Sequence, residues 1–280
     1  MSRDLSDILI HTPQTVIDLP DPRDHLPNLG KAAARLSIDG LLAMPGLREF
    51  SPGPSNQGRR SSCTLHAGVN GTEMIRRRVL GIEPSLSAEA AYNAIRAARG
   101  GLGKDDGMTV RVMMDGMRDQ GLVPREFWDP SHTHLTPPEN YELISIKYPG
   151  SYYSMPQVTD QGGRFPEGTN YSLRLWLEWI KLEQLPIWVC TKIPEGDMRS
   201  TLVARTGHRS RSRYRSYQDR GYWHEEVVED IVRLSDGNIY VVVLGSWGNA
   251  GHQGRFYIPW ENFLDQLYSG QAFAPKREWA

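Results

Sequence analysis

An α+β fold is predicted by three features of the sequence. Helix-period stretches crowd its first half, short β-branched and aromatic runs crowd its second, and the turn Asp236-Gly237-Asn238 joins two of those runs. Helices first and strands later argue for two segregated lobes, and no internal repeat interrupts that order.

Each element has a local reason. Residues 1 to 55 hold seven prolines, so they read as an extended arm, with one short helix near Lys31 to Leu36, that packs across the main body. The loop Ser51-Pro52-Gly53-Pro54-Ser55-Asn56-Gln57-Gly58 then feeds a helix from about Ser62 to Leu80, with Ser62 as N-cap and Gly81 as the stop. A second helix is expected from about Ser87 to Arg99, ended by Gly100-Gly101, and a third from about Thr109 to Gln120, ended by Gly121. Around Pro149 the pattern changes, and strand-like runs appear at Tyr141 to Tyr148, Ile187 to Cys190, Val227 to Leu234, Ile239 to Leu244 and Arg255 to Ile258. One helix, about Asn170 to Gln184, interrupts them. The Asp236-Gly237-Asn238 turn is a hairpin signal, because those residue types tolerate positive φ. The expected divisions are an arm over 1–50, a helical lobe over 51–145, a β lobe over 146–270 and a tail over 271–280.

Composition narrows the class of function. With 280 residues, 39% of them apolar and 23% charged, the chain can bury one large core or two packed lobes, which excludes disorder of the whole. Lys plus Arg number 32 against 33 Asp plus Glu, a net charge of −1, so no global field gathers nucleic acid or an anionic membrane. The start, Met1-Ser2-Arg3-Asp4-Leu5-Ser6-Asp7, carries acids where a signal peptide carries bases, and no run reaches membrane-spanning length. A soluble protein, not secreted by the usual route and without a membrane partner, is expected. Its two cysteines, Cys63 and Cys190, are too few for a disulfide framework and fit a reducing, cytoplasmic compartment. The segment from Arg205 to Arg220 has six arginines and one acid, Asp219, interleaved with Tyr214 and Tyr217. Without a period, it reads as a long exposed loop. Arginine with tyrosine can hold a phosphate-rich polymer, yet a solvated or protein-bound loop is the favoured reading and nucleic acid is not an expected partner.

Cys63 opens the first strong helix, where unpaired backbone N–H groups and the positive end of the dipole stabilise a thiolate. That suits a nucleophile, while a buried structural cysteine is the bland alternative. Six positions upstream stands Gln57, followed by Gly58. The Gln-to-Cys spacing, with Arg60-Ser61-Ser62-Cys63-Thr64, resembles the papain family of cysteine peptidases, whose glutamine amide and cysteine N–H form the oxyanion hole. Further segments resemble that family in its own order: Leu86-Ser87-Ala88-Glu89-Ala90-Ala91-Tyr92 for a helix start, Asp106-Gly107-Met108 for the glycine stretch bordering the substrate cleft, and Gly121-Leu122-Val123-Pro124 with Trp128 for a following turn. Gly245-Ser246-Trp247-Gly248, then Gly251-His252-Gln253-Gly254-Arg255-Phe256-Tyr257-Ile258, resembles the family's "Asn-Ser-Trp-Gly … Gly-Tyr" segment. His224, at the head of a strand-like run before that segment, stands where the family has its catalytic histidine.

The resemblance covers about residues 50 to 265. It implies a papain-like two-lobe fold, with a helical lobe and an antiparallel sheet or barrel facing each other across a cleft. It implies Cys63 as nucleophile, His224 as base and Gln57 as oxyanion donor, with Gly107 at the cleft and Trp247 shielding the histidine. This chemistry requires no metal or other cofactor. Arg60 replaces a disulfide cysteine of the family. Gly245 stands in place of the asparagine that orients the histidine, and glycine has no side chain for that task. Glu225, beside Glu226, stands where the family has a small apolar residue. Glu225, Ser246 and Asn249 are therefore candidate substitutes for the missing orienting group. His66, one turn after Cys63, reads as a packed residue outside the site.

Two functions follow. One is an active thiol hydrolase that cleaves peptide bonds through a Cys63 acyl-enzyme, with a polypeptide as partner. The other is a degenerate papain-fold protein acting as a structural or adaptor subunit, joined through its arm to a larger assembly such as a virus or phage particle.

Overall fold

A computed structural model describes residues 36–81, 85–128, 136–155, 169–198, 200–209 and 221–275. Its principal helices are α1 (Ile38–Leu42), α2 (Cys63–Leu80), α3 (Ala88–Ala98), α4 (Val110–Asp119), α5 (Thr169–Glu178) and α6 (Trp260–Gln266). Its principal strands are β1 (Gly150–Ser154), β2 (Ile187–Pro194), β3 (Gly221–Arg233), β4 (Ile239–Leu244), β5 (Arg255–Pro259) and β6 (Leu267–Pro275). The six form one antiparallel sheet in the order β1-β6-β2-β3-β4-β5. The helical half is pinned by a two-residue pairing of Leu86–Ser87 with Val123–Pro124. This is the α+β arrangement that the helix and strand patterns predict.

Local chemistry explains where the helices begin and end. Ser87 Oγ accepts from Ala90 N at 3.2 Å, and Thr109 Oγ1 from Val112 N at 3.1 Å, which caps α3 and α4. Helix α2 ends where Gly81 turns left-handed at φ 61° and its N–H reaches Arg77 O at 3.0 Å. Ser62 occupies the N-cap position of α2 without capping it, because its hydroxyl is used elsewhere. Helix α5 runs on into a π-turn, Trp179–Glu183, closed by Gln184 at φ 51°.

Helix α2 is buried from Cys63 to Ile75 and packs on β2 and β3. Trp188, on β2, fixes the approach: its indole N–H donates to Ala67 O at 2.8 Å, and the absence of a side chain at Gly71 leaves room for its ring. From the start of the described chain, Leu41 and Leu47 are fully buried, Leu47 N donates to Glu229 O at 2.8 Å, and Lys181 Nζ donates to Met44 O at 2.8 Å. Lys181 also pairs with Asp230 at 2.6 Å inside β3. Residues 36–50 are thereby seated on the sheet. Among the described residues no helix is long and apolar enough to cross a membrane.

Several sequence expectations need correction. Tyr141 to Tyr148 is not a strand: Asn140 turns left-handed at φ 58°, Tyr141–Ile144 make one helical turn, and only Ile146 pairs, with Leu122. The Tyr141 hydroxyl donates to Gly121 O at 2.5 Å, which anchors that turn against the helical half. Residues 271–275 are no free tail but the end of β6. Arg205 lies in a helical turn, Thr201–Thr206, and Arg209 is buried, so the basic segment is not one exposed loop. Residues 210–220 lie outside the described residues, as does most of the expected Lys31–Leu36 helix.

Candidate functional site

The helix-opening position of Cys63 is built by the turn before it. Gln57, Ser61 and Ser62 are buried, and each polar group has a partner. Ser61 N and Oγ bond Asp105 Oδ1 and O at 3.0 and 2.9 Å, and Ser62 Oγ donates to Glu89 Oε1 at 2.6 Å. Arg60 pairs with Glu89 Oε2 at 2.5 Å, donates to Asn93 Oδ1 at 2.7 Å and lies over the Tyr92 ring. Where the resemblance puts a disulfide, this chain uses an ionic cross-link between the same loop and α3. Burial pushes Glu89 upward, but its hydrogen bond to His66, the His66 and Arg60 charges and the Ser62 hydroxyl bring it below the ordinary carboxylate range. His66 Nε2 lies 3.1 Å from Glu89 Oε1.

The Gln57 loop also touches the other half of the molecule. Gln57 N donates to Ser246 O at 2.9 Å, Ser246 Oγ donates to Gln57 Oε1, and Asn56 bridges to Trp247. Gln57 Nε2 donates to Arg60 O at 2.7 Å, and a primary amide carries a second N–H besides. Cys63 itself is 3% exposed at the tip of α2, and α2 packs on β3, the strand that carries His224.

His224 is 4% exposed, and its ring stacks on Trp247 with centroids 4.2 Å apart and planes inclined by 25°. Its Nε2 is buried with no hydrogen-bond partner among the described residues. Burial, then the charges of Arg209 and His66, holds the imidazole well below the usual histidine range, which favours its neutral form.

None of the candidate orienting residues reaches that nitrogen. Glu225 is adjacent to His224 on β3, so it leaves the opposite face of the sheet, across from Cys190. Ser246 spends its hydroxyl on Gln57, and Asn249 is exposed beyond the Trp247 turn. The space above Gly245 is bordered instead by Phe256 and Glu226: a Cβ there would lie 3.0 Å from Phe256 Cε2 and 3.7 Å from Glu226 Oε1. Glu226 shares the His224 face and pairs with Arg209, whose guanidinium also lies over the Phe256 ring at 5.1 Å. Sequence reasoning set Glu226 aside and missed Arg209 and Thr191, since nothing local separates Arg209 from the neighbouring arginines.

Gly107 is buried at φ 76°, and its backbone is already engaged. Its N–H donates to the Tyr92 hydroxyl at 3.1 Å, and its carbonyl accepts from Arg96 at 2.7 Å. A partner strand at this glycine would have to displace one of those bonds. Among the described residues no group of His, Cys, Asp and Glu is arranged to hold a metal ion.

No family model and no curated protein matches the chain by sequence. Solved structures do match. Xylellain, a cysteine protease from Xylella fastidiosa, superposes with a TM-score of 0.68 at 17% identity, over 95% of this chain and 97% of its own. Digestive procathepsin L 3 of Tenebrio molitor gives 0.67 at 15%, over 96% and 79%. Procathepsin B from Trypanosoma congolense gives 0.64 at 13%, over 96% and 88%. With helices on one side, a six-stranded antiparallel sheet on the other, and these neighbours spanning nearly its whole length, the chain has the papain-like fold of the cysteine proteases.

Proposed function

We propose that the chain is a papain-type thiol hydrolase acting on polypeptide, with Cys63 as nucleophile and His224 as base. The observation that supports this best is the imidazole itself: buried and stacked beneath Trp247, on the strand against which the Cys63 helix packs. A neutral imidazole is a proton acceptor. His224 takes the Cys63 proton as sulfur adds to the peptide carbonyl, and the electron pair moves onto oxygen. The oxyanion lies between the Cys63 N–H and the second N–H of Gln57, each donor typically worth about 3 kcal/mol. Collapse expels the amine, which His224 protonates, and water then releases the acyl group. Neither cysteine forms a disulfide, and a reducing compartment is the setting this reading proposes.

A thiol-directed epoxide tests it. Labelling should map to Cys63, vanish in Cys63→Ala and slow at least tenfold in His224→Gln. Unlabelled Cys63 under conditions that label a small free thiol would overturn the proposal.

A second reading is a papain-fold subunit of an assembly whose chemistry has lapsed. It is favoured by the engaged backbone of Gly107 and by the absent orienting group at Gly245. Light scattering after size exclusion separates the two, because a reactive, monodisperse monomer argues against an obligate subunit.

A further inference from the structure

Behind His224 lies a closed polar cluster. Thr191 is the direct cross-strand neighbour of His224, on β2, and Glu226 lies two residues along β3 on the same face. Arg209 enters from the segment after Thr201–Thr206. Arg209 Nη2 donates to Glu226 Oε1, Thr191 Oγ1 donates to Glu226 Oε2 at 3.0 Å, and Arg209 Nη1 reaches Thr191 Oγ1 at 3.4 Å. The Arg209 and Glu226 side chains are both fully buried. Together with Phe256, Glu226 borders the side-chain space that Gly245 leaves empty. A carboxylate is thus present on the imidazole's own face, beside the position from which an orienting group is missing, and it is bound to something else.

We propose that Arg209 is a positioning residue of the Cys63–His224 pair, which acts by tying up the Glu226 carboxylate and keeping it from the imidazole. The inference rests on His224 being the site base. Two buried carboxylate oxygens that already accept from Arg209 and Thr191 have little reason to turn toward a third donor. The imidazole keeps the Trp247 stack, and its Nε2 has no hydrogen-bond partner among the described residues. The other charge acting on it is that of His66 on α2, while Glu225 points to the opposite face. Without the guanidinium, Glu226 becomes an uncompensated buried charge one residue pair from the imidazole. The cheapest way to compensate it is an ion pair in which His224 Nε2–H donates to the carboxylate and the ring carries the proton.

The test is an imidazole titration by NMR on the full chain, with the His224 signal assigned by its loss in His224→Gln. In Arg209→Met the midpoint should rise by about one pH unit or more, a tenfold shift in the protonation equilibrium, and it should rise by less in Arg209→Met/Glu226→Gln, where only the direct effect of the Arg209 charge is lost. Thr191→Val removes one bond to the carboxylate without creating an unpaired charge. It should move the midpoint the same way by a smaller amount, which decides the matter if Arg209→Met does not fold. A midpoint unchanged in Thr191→Val and in any folded Arg209→Met overturns the proposal, as does a rise that is as large in Arg209→Met/Glu226→Gln as in Arg209→Met. Cys63 labelling is scored separately: if wild-type Cys63 is inert the catalytic reading falls, while the titration still reports on Arg209.

Discussion

Putting a side chain back at position 245 measures how firmly the space behind the histidine is closed. Gly245 is not among the residues with positive φ, so its backbone accepts any residue but proline, whose missing N–H would break the bond to Gly254 O, and contacts set the outcome for the rest. An alanine Cβ would lie 3.0 and 3.4 Å from Phe256 Cε2 and Cδ2. Phe256 is 1% exposed, meets the Trp247 ring edge-on at 5.3 Å and carries the Arg209 guanidinium on its face. It has little room to retreat. Overpacking of this kind costs about 1 to 3 kcal/mol, against a gain of about 0.4 to 1 kcal/mol from stiffening the unfolded chain. Gly245→Ala should therefore lose about 1 kcal/mol. Gly245→Asn drives a planar amide toward Glu226 and should lose about 3 kcal/mol, less about 1 kcal/mol if the amide satisfies His224 Nε2. Phe256→Leu opens the space, so the double variant should be more stable than additivity allows by about 1 to 2 kcal/mol. Urea denaturation of the four proteins measures this cycle. A Gly245→Asn protein within about 0.5 kcal/mol of wild type, and additive with Phe256→Leu, would refute the closed space.

Other expectations concern pH and packing. Burial raises Glu73 to about 6 even though Leu86 N donates to it at 2.6 Å. The folded state therefore binds the proton more tightly than the unfolded one, and stability falls by about 2 kcal/mol as pH rises from 4.5 to 6; in Glu73→Gln that slope should be missing from urea melts across the window. His224 has the opposite sign. Its folded form resists protonation, so stability is lost as pH falls below about 6.5, and His224→Gln should lose less over the same descent. At Gly71 a Cβ would sit 2.7 Å from Trp188 Cζ2, so Gly71→Ala should cost about 2 kcal/mol and alter tryptophan fluorescence; unchanged stability would show that α2 does not rest on that ring. Arg60→Leu removes the Arg60 partner of Glu89 and leaves it His66 and Ser62, and should cost about 2 kcal/mol by thermal or urea unfolding, whereas a neutral result would make the cross-link decorative.

Much of the architecture was readable along the chain. The start of α2 at Cys63, the helix starts near Ser87 and Thr109, the stop at Gly81 and the Asp236-Gly237-Asn238 hairpin all depend on residues close in sequence, and the structure has each at or within a residue of its expected place. Strands β1 and β6 were not readable. Neither contains a β-branched residue, and they exist because they pair with each other and because β6 lies along β2. The Tyr141 turn departs from the sequence pattern for the converse reason, since its aromatic residues look extended while the Asn140 backbone and a hydroxyl bond to Gly121 impose a helical turn.

For the site, the order of Gln57, Cys63, His224 and Trp247 belongs to the sequence, because residue identity and spacing carry the papain-like resemblance and a helix tip is a local feature. What surrounds the imidazole belongs to the tertiary structure. Glu225 and Glu226 are adjacent letters, yet strand pleating sends them to opposite faces, and Glu226 meets its counter-charge only because Arg209 folds in from a segment that reads as an exposed basic loop. Burial then sets the charge state of His224, and no reading of neighbours in sequence can supply a desolvation that arises from packing two halves of the chain together.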